Sequence, residues 1–591
     1  MTMKNTFRKY GILLAFLVTA CNLDGDLENP NQVPVNGADV DYLMNLVQLN
    51  FADFFQSAQS TGAPLVRQVA MSGGYRYQLA YQPQGQDVIW TNAYNGILLQ
   101  SETLIKLAEE KNLTTHVAVA KILSAYTYLT LVDLFNDVPR TEALTASTGN
   151  FNPVADPGSD VYAYAIGLLG EARTELAKTG TDAGRALARD IYYGGDRAKW
   201  TALCNTIELK AWVNISMVPS RQAEANAKIA TFINPADGSS VGEIIDKADE
   251  DFTYKYSAIT VPAGSRHPLY DQYYGPNEGN AGGYLGTYFM YEMFHASDYT
   301  TDGVGGGNDI NDPRWRYYFY RQVGSINPVD NGFDVKALGC TPGVPPPHYQ
   351  AANVKMFCVF EPGFYGRDHG DASGTPPDGP VLTTAGVYPA GGRPDNNSEA
   401  NSAYSKKTKR GDGADGAGIQ PIWMSPYTDF LKAEVVARAG NTAAAKTLLT
   451  TAIKNSIQSV KSFADGKKQS VTIAPWSSEA WVPNNGKPFD LAVTAYTTAV
   501  SLAYDAAGNK MDVIGREFWK SLWGNGLEGY NLYRRTGAPT GMQPTLQPNP
   551  GPWMRTIVYP SVFVNLNSSA TQRDANATNK VFWDNNLTDL D

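Results

Sequence analysis

The chain has 591 residues, of which 43% are hydrophobic and 18% are charged. This composition is sufficient for a large core, and the low charge content excludes both a disordered chain and a coiled coil. The formal net charge of −10 and the pI of about 5.2 argue against a nucleic-acid-binding protein, whose contact face is basic.

The first 21 residues are typical of a bacterial lipoprotein signal peptide. Three basic residues precede an uncharged, mostly apolar run over 11–20, which has about half the length that a membrane span needs. The run ends in Val-Thr-Ala-Cys and resembles a lipobox, whose cysteine is lipidated and becomes the first mature residue. We therefore predict a signal peptide over 1–20, lipidation of Cys21 as the only membrane attachment, and a polar tether over 21–37. An ordinary signal peptide with an incidental cysteine is the alternative.

Apolar residues at spacings of three and four predict helices over most of 38–235 and 421–530. The predicted helices are Val40–Phe55, Ile89–Lys111, Leu113–Phe135, Val161–Lys178, Arg197–Val218, Pro426–Ala439, Asn441–Ser459, Phe489–Tyr504 and Asp512–Tyr530, and a further short helix, Tyr284–Phe294, is predicted between the two parts. Helical hairpins that recur at ~35–45 residues predict an all-α, tetratricopeptide-like α-solenoid with very little sheet.

Residues 236–420 differ in composition from the helical parts. Twelve of the 34 tyrosines lie between 254 and 320, and ten of the 35 prolines lie between 342 and 394. Proline and glycine interrupt regular structure, so we predict a long, loop-rich segment with short helices here. The prolines after residue 534 likewise predict an irregular tail over 531–591.

Four separated stretches carry a family resemblance. They are Ala125–Pro139 with Glu142-Ala143-Leu144, Asp190–Asp196 with Lys199, Trp200 and Asn205, Lys432–Gly440, and Leu527–Tyr530 with Arg534–Gly537 and Pro539. Arg555, Tyr559-Pro560, Asn565 and Trp583-Asp584 follow in order. Together they resemble the SusD/RagB-like family of nutrient-binding outer-membrane lipoproteins, and the resemblance covers nearly the whole mature chain.

The resemblance implies a SusD-like domain over 38–591 on a protein that is lipid-anchored to the outer membrane and faces the cell exterior. It further implies that the protein binds a nutrient, an oligosaccharide or alternatively a peptide. A SusC-like TonB-dependent transporter is the implied partner, on which the protein acts as a lid.

The residues of these motifs also have structural interpretations. Asp196 is placed to cap the helix that carries Trp200. Glu434 lies on a largely apolar helix and is expected to pair with an arginine or a backbone donor. Arg534 and Arg535 are expected to anchor the tail to the solenoid.

Motifs of enzymes fail when their context is considered. Gly238–Gly242 fits a nucleophile elbow but follows a turn rather than a strand, and Gly411–Gly416 fits a dinucleotide fingerprint without a preceding strand. The five histidines form no metalloprotease motif. We therefore predict no reaction and no cofactor.

A calcium site and a disulfide stay open in the loop-rich segment. An acidic loop there has oxygen ligands that suit Ca²⁺, although a solvated turn is favoured; its members are Asp298, Asp302, Asn308, Asp309, Asn311 and Asp312. Cys340 and Cys358 flank a proline-rich loop and are as consistent with a disulfide as with two thiols. Cys204 lies in a helical pattern and is expected to be a small buried residue.

Aromatic residues in two loops are the predicted binding residues, because aromatic rings stack on the apolar faces of sugars. In the SusD-like family, contacts come from the loop between the first two helices and from the irregular middle segment. The matching regions give the candidates Tyr75, Arg76, Tyr77, Tyr81, Tyr270, Tyr273, Tyr274 and Tyr284, with Arg67 in the same loop. We expect these tyrosines to form an exposed platform on one side of the molecule; packing between loop and solenoid is the alternative for each.

Two rival functions have structural signs of their own. A structural SusD-like subunit of another outer-membrane complex would have its loop aromatics buried against protein. A surface hydrolase would have two carboxylates ~5–10 Å apart in a cleft.

Overall fold

The computed structural model describes residues 39–71, 75–145, 149–179, 187, 189–275, 283–294, 310–322, 364–371, 382–395, 408–471, 489–574, 579–586 and 590. The α-helices in these ranges are α1 (Val40–Leu65), α2 (Tyr77–Ala80), α3 (Asp87–Thr91), α4 (Leu99–Glu110), α5 (Thr114–Phe135), α6 (Gly158–Ala177), α7 (Arg197–Ile215), α8 (Gln222–Ile229), α9 (Pro268–Tyr274), α10 (Thr287–Phe294), α11 (Trp315–Tyr318), α12 (Ser425–Arg438), α13 (Thr442–Gly466), α14 (Phe489–Ala506), α15 (Lys510–Ser521), α16 (Gly526–Thr536) and α17 (Ser561–Val564). The strands are β1 (Phe252–Lys255), β2 (Phe319–Tyr320), β3 (Thr384–Ala385) and β4 (Ile419–Trp423). Helix dominates, which confirms the predicted all-α class.

Neighbouring helices pack against one another in sequence order. Contacts join α4 to α5, α5 to α6, α6 to α7, α7 to α8, and α12 to α13. This succession is the packing of a tetratricopeptide-like solenoid, as predicted. The strands add only two short antiparallel ladders, β1 with β4 and β2 with β3.

Helix α5 forms the centre of the first helical group. All of its residues except Lys121 are buried, so it packs on every side, as its apolar sequence predicts. Among the described helices, α5 has the length and hydropathy of a membrane span, and 94% of that window is buried inside the protein.

The predicted helix Asp512–Tyr530 is wrong as a single element. The chain forms α15 and α16 instead, with a break in which Gly524 adopts φ +88°. Asn525 then caps α16, because its side chain accepts a hydrogen bond from the Glu528 backbone N–H at 3.1 Å. A left-handed glycine followed by a capping asparagine ends one helix and begins the next, although the apolar spacing continues through the break.

A glycine contact fixes the crossing of α1 and α16. A Cβ atom at Gly62 would lie 2.5 Å from the Gly526 carbonyl oxygen, and one at Gly526 would lie 2.3 Å from the Ala63 nitrogen. The two backbones therefore approach too closely for any larger residue.

A buried ion pair joins α12 to α16. Glu434 accepts hydrogen bonds from Nε and Nη2 of Arg535 at 2.8 and 2.9 Å, and Arg438 adds a third contact from the same helix. The predicted pairing of Glu434 with an arginine is confirmed. Arg534 donates to the Arg555 carbonyl at 2.8 Å, which confirms its expected role in anchoring the tail.

Two further local expectations are confirmed. The Asp196 side chain accepts from the backbone N–H groups of Ala198 and Lys199 at the start of α7. Cys204 is fully buried, and burial raises the pKa of its thiol to about 12, so it is an unreactive core residue.

Candidate functional site

The two predicted loop regions meet at the surface between α1 and α10. The Ala70 N–H donates to the Tyr284 carbonyl at 2.9 Å, so the chain after α1 runs beside the chain before α10. The Arg367 N–H donates to the Leu285 carbonyl at 3.1 Å and adds the segment 364–371 to this arrangement. The first two segments are expected to contribute to one region, and the structure brings them into contact.

The C-terminal tail covers the inner side of the first loop. The Arg67 side chain donates from Nε to the Gln543 carbonyl at 2.7 Å and from Nη1 to the Tyr77 hydroxyl at 3.2 Å. The same hydroxyl lies 3.2 Å from Nε2 of His369, and the Leu546 N–H donates to the His369 carbonyl. Burial, assisted by Arg67, lowers the pKa of His369 well below its usual value, so its imidazole is neutral here.

Most of the predicted tyrosines are buried. At most 9% of the residue surface is exposed in each of Tyr77, Tyr81, Tyr270, Tyr273, Tyr274 and Tyr284. The expectation that these six rings form an exposed platform is therefore wrong, and packing between the loops and the solenoid is what the structure shows. The physical reason is that nearby carbonyl and carboxylate groups accept hydrogen bonds from several of these hydroxyls. The Tyr81 hydroxyl, for example, donates to the Thr61 carbonyl at 3.1 Å. A ring whose hydroxyl has an acceptor can be buried in the core.

The stacked pair on α9 illustrates this packing. The rings of Tyr270 and Tyr274 lie 4.5 Å apart and are nearly parallel. The Tyr270 hydroxyl donates to the Asp412 carbonyl at 3.1 Å, and the Tyr274 hydroxyl donates to the Ala385 carbonyl at 2.9 Å. Burial raises the pKa of both hydroxyls, so they remain neutral donors that hold the loop-rich segment together.

A small group of side chains in these loops remains accessible to solvent. Arg76 is exposed, and Tyr75 is half-buried with φ +60°. Arg367 is half-buried and holds its guanidinium 3.9 Å from the centre of the Tyr284 ring. We call these three accessible residues, together with the buried Tyr284 ring behind Arg367, the loop face; its two arginines offer hydrogen-bond donors beside an aromatic surface.

Arg367 and the covering tail were not predicted. Arg367 lies in the short sequence Phe-Tyr-Gly-Arg-Asp-His, whose aromatic and basic residues resemble those of the first loop. That similarity was the available signal. The tail gives no comparable local signal, because Gln543 meets Arg67 across 476 residues.

Of the possible calcium loop, the structure describes Asn311 and Asp312, and both side chains are buried. Asp312 is completely buried and pairs with Arg314 at 2.6 Å. Burial alone would raise the pKa of Asp312, but Arg314 holds it below its usual value, so this carboxylate belongs to an internal ion pair. Within the described ranges no group of three or more histidine, cysteine, aspartate or glutamate side chains is placed to hold a metal ion. The other predicted members of that loop (Asp298, Asp302, Asn308 and Asp309) lie outside the described residues, and so do Cys21, Cys340 and Cys358.

The comparisons with solved structures agree on the fold. A chitin-binding protein is 18% identical with a TM-score of 0.62, over 93% of this chain and 100% of its own. A SusD/RagB family protein from Bacteroides thetaiotaomicron is 15% identical with a TM-score of 0.59, over 90% and 95% of the two chains. A chitin-binding SusD homologue from Flavobacterium johnsoniae is 18% identical with a TM-score of 0.56, over 93% and 99%.

The comparison with family profiles identifies the chain, whereas the comparison with curated protein sequences finds no match. The SusD-like profile, described as starch-binding and associating with the outer membrane, matches residues 30–345, which is more than half of the chain. The solenoid of the structure agrees with that assignment. The chain therefore belongs to the SusD-like family of starch-binding proteins that associate with the outer membrane.

Proposed function

We propose that this protein captures an oligosaccharide at the outer membrane and delivers it to a SusC-like TonB-dependent transporter, without catalysing a reaction. The observation that carries the proposal is the match of residues 30–345 to a family described as starch-binding. The folds of two chitin-binding proteins extend over almost the same length, which makes chitin fragments as reasonable a ligand to test as starch fragments.

We place the membrane attachment at Cys21, after a signal peptide over 1–20. The tether over 21–37 then holds the domain 38–591 away from the bilayer on the cell exterior, where it acts as a lid on the transporter. Cys21→Ala should give a soluble, folded protein. Membrane retention of this variant in cells that lack the transporter would contradict a single lipid attachment.

The loop face is the proposed ligand-binding surface. Its arginine side chains donate hydrogen bonds to sugar hydroxyls, and the half-buried Tyr75 adds apolar contact. Arg367 is held by the Tyr284 ring at 3.9 Å, so the guanidinium is positioned before the ligand arrives. A peptide would use the same arginines through its carboxylates, which keeps peptide binding as the alternative.

Titration of the Cys21→Ala protein with maltohexaose, chitohexaose and an acidic peptide tests the function and the site together. Arg76→Ala should weaken binding roughly tenfold, which corresponds to one lost charge-assisted hydrogen bond. Lys111→Ala is the matched control, since Lys111 is an exposed cation at the end of α4. Unchanged affinity in Arg76→Ala would move the site elsewhere, and release of shorter sugars during the titration would favour the hydrolase.

The burial of six predicted tyrosines favours a second candidate, a structural subunit of an outer-membrane complex. This candidate predicts that the lipidated protein purifies with a SusC-like barrel but binds no sugar or peptide of a broad panel. Binding of any one ligand at micromolar concentration would instead support nutrient capture.

A further inference from the structure

A cleft on another part of the solenoid has no place in the site described above. It has a volume of about 1010 Å³ and lies between the turn that precedes α7, the chain that enters β1, and helix α13. These three walls are far apart in sequence but meet in the folded protein. None of the four residues of the loop face lines it.

Helix α13 presents a neutral polar wall to this cleft. Asn455, Gln458, Ser459 and Ser462 recur at spacings of three and four and therefore share one face of the helix. All four have solvent-accessible surface, and Gln458 Nε2 donates to Ser462 Oγ at 3.0 Å. Amide and hydroxyl groups both donate and accept hydrogen bonds, which is the chemistry that sugar hydroxyls require.

Two aromatic rings contribute apolar surface from different walls. Tyr193 is half-buried and is fixed by an edge contact with Trp200 and by a hydrogen bond from its hydroxyl to the Glu250 carbonyl at 2.7 Å. Phe463 is half-buried on α13 and contacts the Tyr388 ring edge-on at 5.7 Å. Because both rings are held in position, a ligand that meets them orders few side chains on binding.

The remaining wall gives the cleft a negative charge. Asp246, Asp249 and Asp251 lie along the chain that enters β1, and Asp190 lies in the turn that precedes α7. Burial raises the pKa of Asp251 to about 7, so this group is only partly ionised at neutral pH. The cations in the lining are Lys199 and Lys255. Lys199 is already paired with Asp249 at 3.2 Å. The described lining contains no arginine, so it lacks the group that binds sulfate and carboxylate in a bidentate manner. Acidic sugars are therefore disfavoured, and neutral or amine-bearing sugars are favoured.

We propose that this acidic cleft is a second saccharide site, selective for neutral or amine-bearing sugar units over uronic or sulfated ones. The proposal of this second site rests on the proposed function only for the class of ligand, because the position and charge of the cleft differ from those of the loop face. The two surfaces then differ in selectivity: the loop face carries arginines and the cleft carries carboxylates.

The test uses the soluble Cys21→Ala protein and three probes: N-acetylchitohexaose, a fully deacetylated chitosan hexamer and an oligogalacturonate. Ser462→Trp fills the cleft, and Lys454→Trp places the same side chain on an exposed position of α13 that does not line the cleft. We expect Ser462→Trp to bind the chitosan hexamer at least tenfold more weakly, whereas Lys454→Trp binds it as the parent protein does. Oligogalacturonate should bind at least tenfold more weakly than the chitosan hexamer.

Gln458→Ala provides a second variant, because it removes a side chain and cannot introduce a clash. It should weaken chitosan binding several-fold while the circular dichroism spectrum stays unchanged. Equal binding in Ser462→Trp, Gln458→Ala and the parent protein overturns the cleft site. If Arg76→Ala weakens glycan binding in that case, the proposed function stands without it. Absence of glycan binding by the parent protein overturns both.

Discussion

Replacing Glu434 by glutamine should lower the free energy of unfolding by ~3–5 kcal/mol, the range for removing one partner of a buried ion pair. Glu434 is fully buried, and both of its carboxylate oxygens accept hydrogen bonds from Arg535. Glutamine keeps one acceptor but loses the charge. The Arg535 guanidinium is then left in the core without the carboxylate that contacts it, and its acceptors at this place are the glutamine oxygen and Asn214, at 3.0 Å.

Thermal unfolding followed by circular dichroism measures this effect. At ~2.1 cal/mol/K of unfolding entropy per residue, a chain of this length loses about 1 °C of melting temperature per kcal/mol. Glu434→Gln should therefore melt roughly 3–5 °C below the parent protein. The double variant Glu434→Met/Arg535→Met should recover part of the loss, because it removes both fully buried members of the pair and the remaining cation, Arg438, is partly exposed to solvent.

The pH dependence gives an independent check. Burial alone would raise the pKa of Glu434, but Arg535 and Arg438 hold it below its usual value of 4.5. A lowered pKa contributes stability that is present above pH 4.5 and is lost as the pH falls through the lower value of the folded state. The difference between the parent protein and Glu434→Gln should therefore shrink in acid. A melting temperature within 1 °C of the parent at neutral pH, or a constant difference down to acid pH, would refute the reasoning.

Three further predictions concern the solenoid. Gly526→Ala should lower the free energy of unfolding by ~1–3 kcal/mol, because its Cβ would clash with α1 near Gly62. Gly167→Ala lies on an exposed face of α6 with nothing within 4 Å of the new Cβ, so it should raise that free energy by ~0.5–1 kcal/mol. Urea unfolding that shows the same direction of change for both variants would contradict the close contact. Burial raises the pKa of Asp251 from 3.8 to about 7. Between pH 4 and pH 7 the folded protein therefore keeps a proton that the unfolded chain releases, so stability should fall as the pH rises through this range. Asp251→Asn should reduce this pH dependence of the melting temperature. Asp196→Ala should lower the free energy of unfolding by ~1 kcal/mol because α7 loses its cap, whereas Asp196→Asn keeps an accepting oxygen and should not lower it. Equal melting temperatures of the two variants would exclude the cap as the cause.

Local chemistry explains why many helices were predictable. The start of α7 follows from the capping carboxylate of Asp196, and the burial of α5 follows from apolar residues on all sides of one helix. The end of α12 follows from Gly440, which adopts φ +88°. Each of these features depends on residues within a few positions of one another, so the sequence carries the information directly.

The burial of the loop tyrosines depended on contacts that the local sequence does not contain. Nothing in the sequence around Tyr77 distinguishes it from an exposed binding residue, yet the C-terminal tail and His369 enclose it. Tyr75 lies two positions away and remains half-buried. Whether a loop aromatic is accessible depends on which distant segment packs over it, and nothing within the loop specifies that segment.

The sequence by itself determined the helical class, the helix caps and the family of this protein, because periodicity, capping residues and ordered motifs are properties of neighbouring residues. Only the tertiary structure decided which rings face solvent and that the chain over 246–255 faces α13 across a cleft. The physical reason is that burial and cavity shape arise from packing between elements far apart in the chain, as Arg67 and Gln543 show across 476 residues.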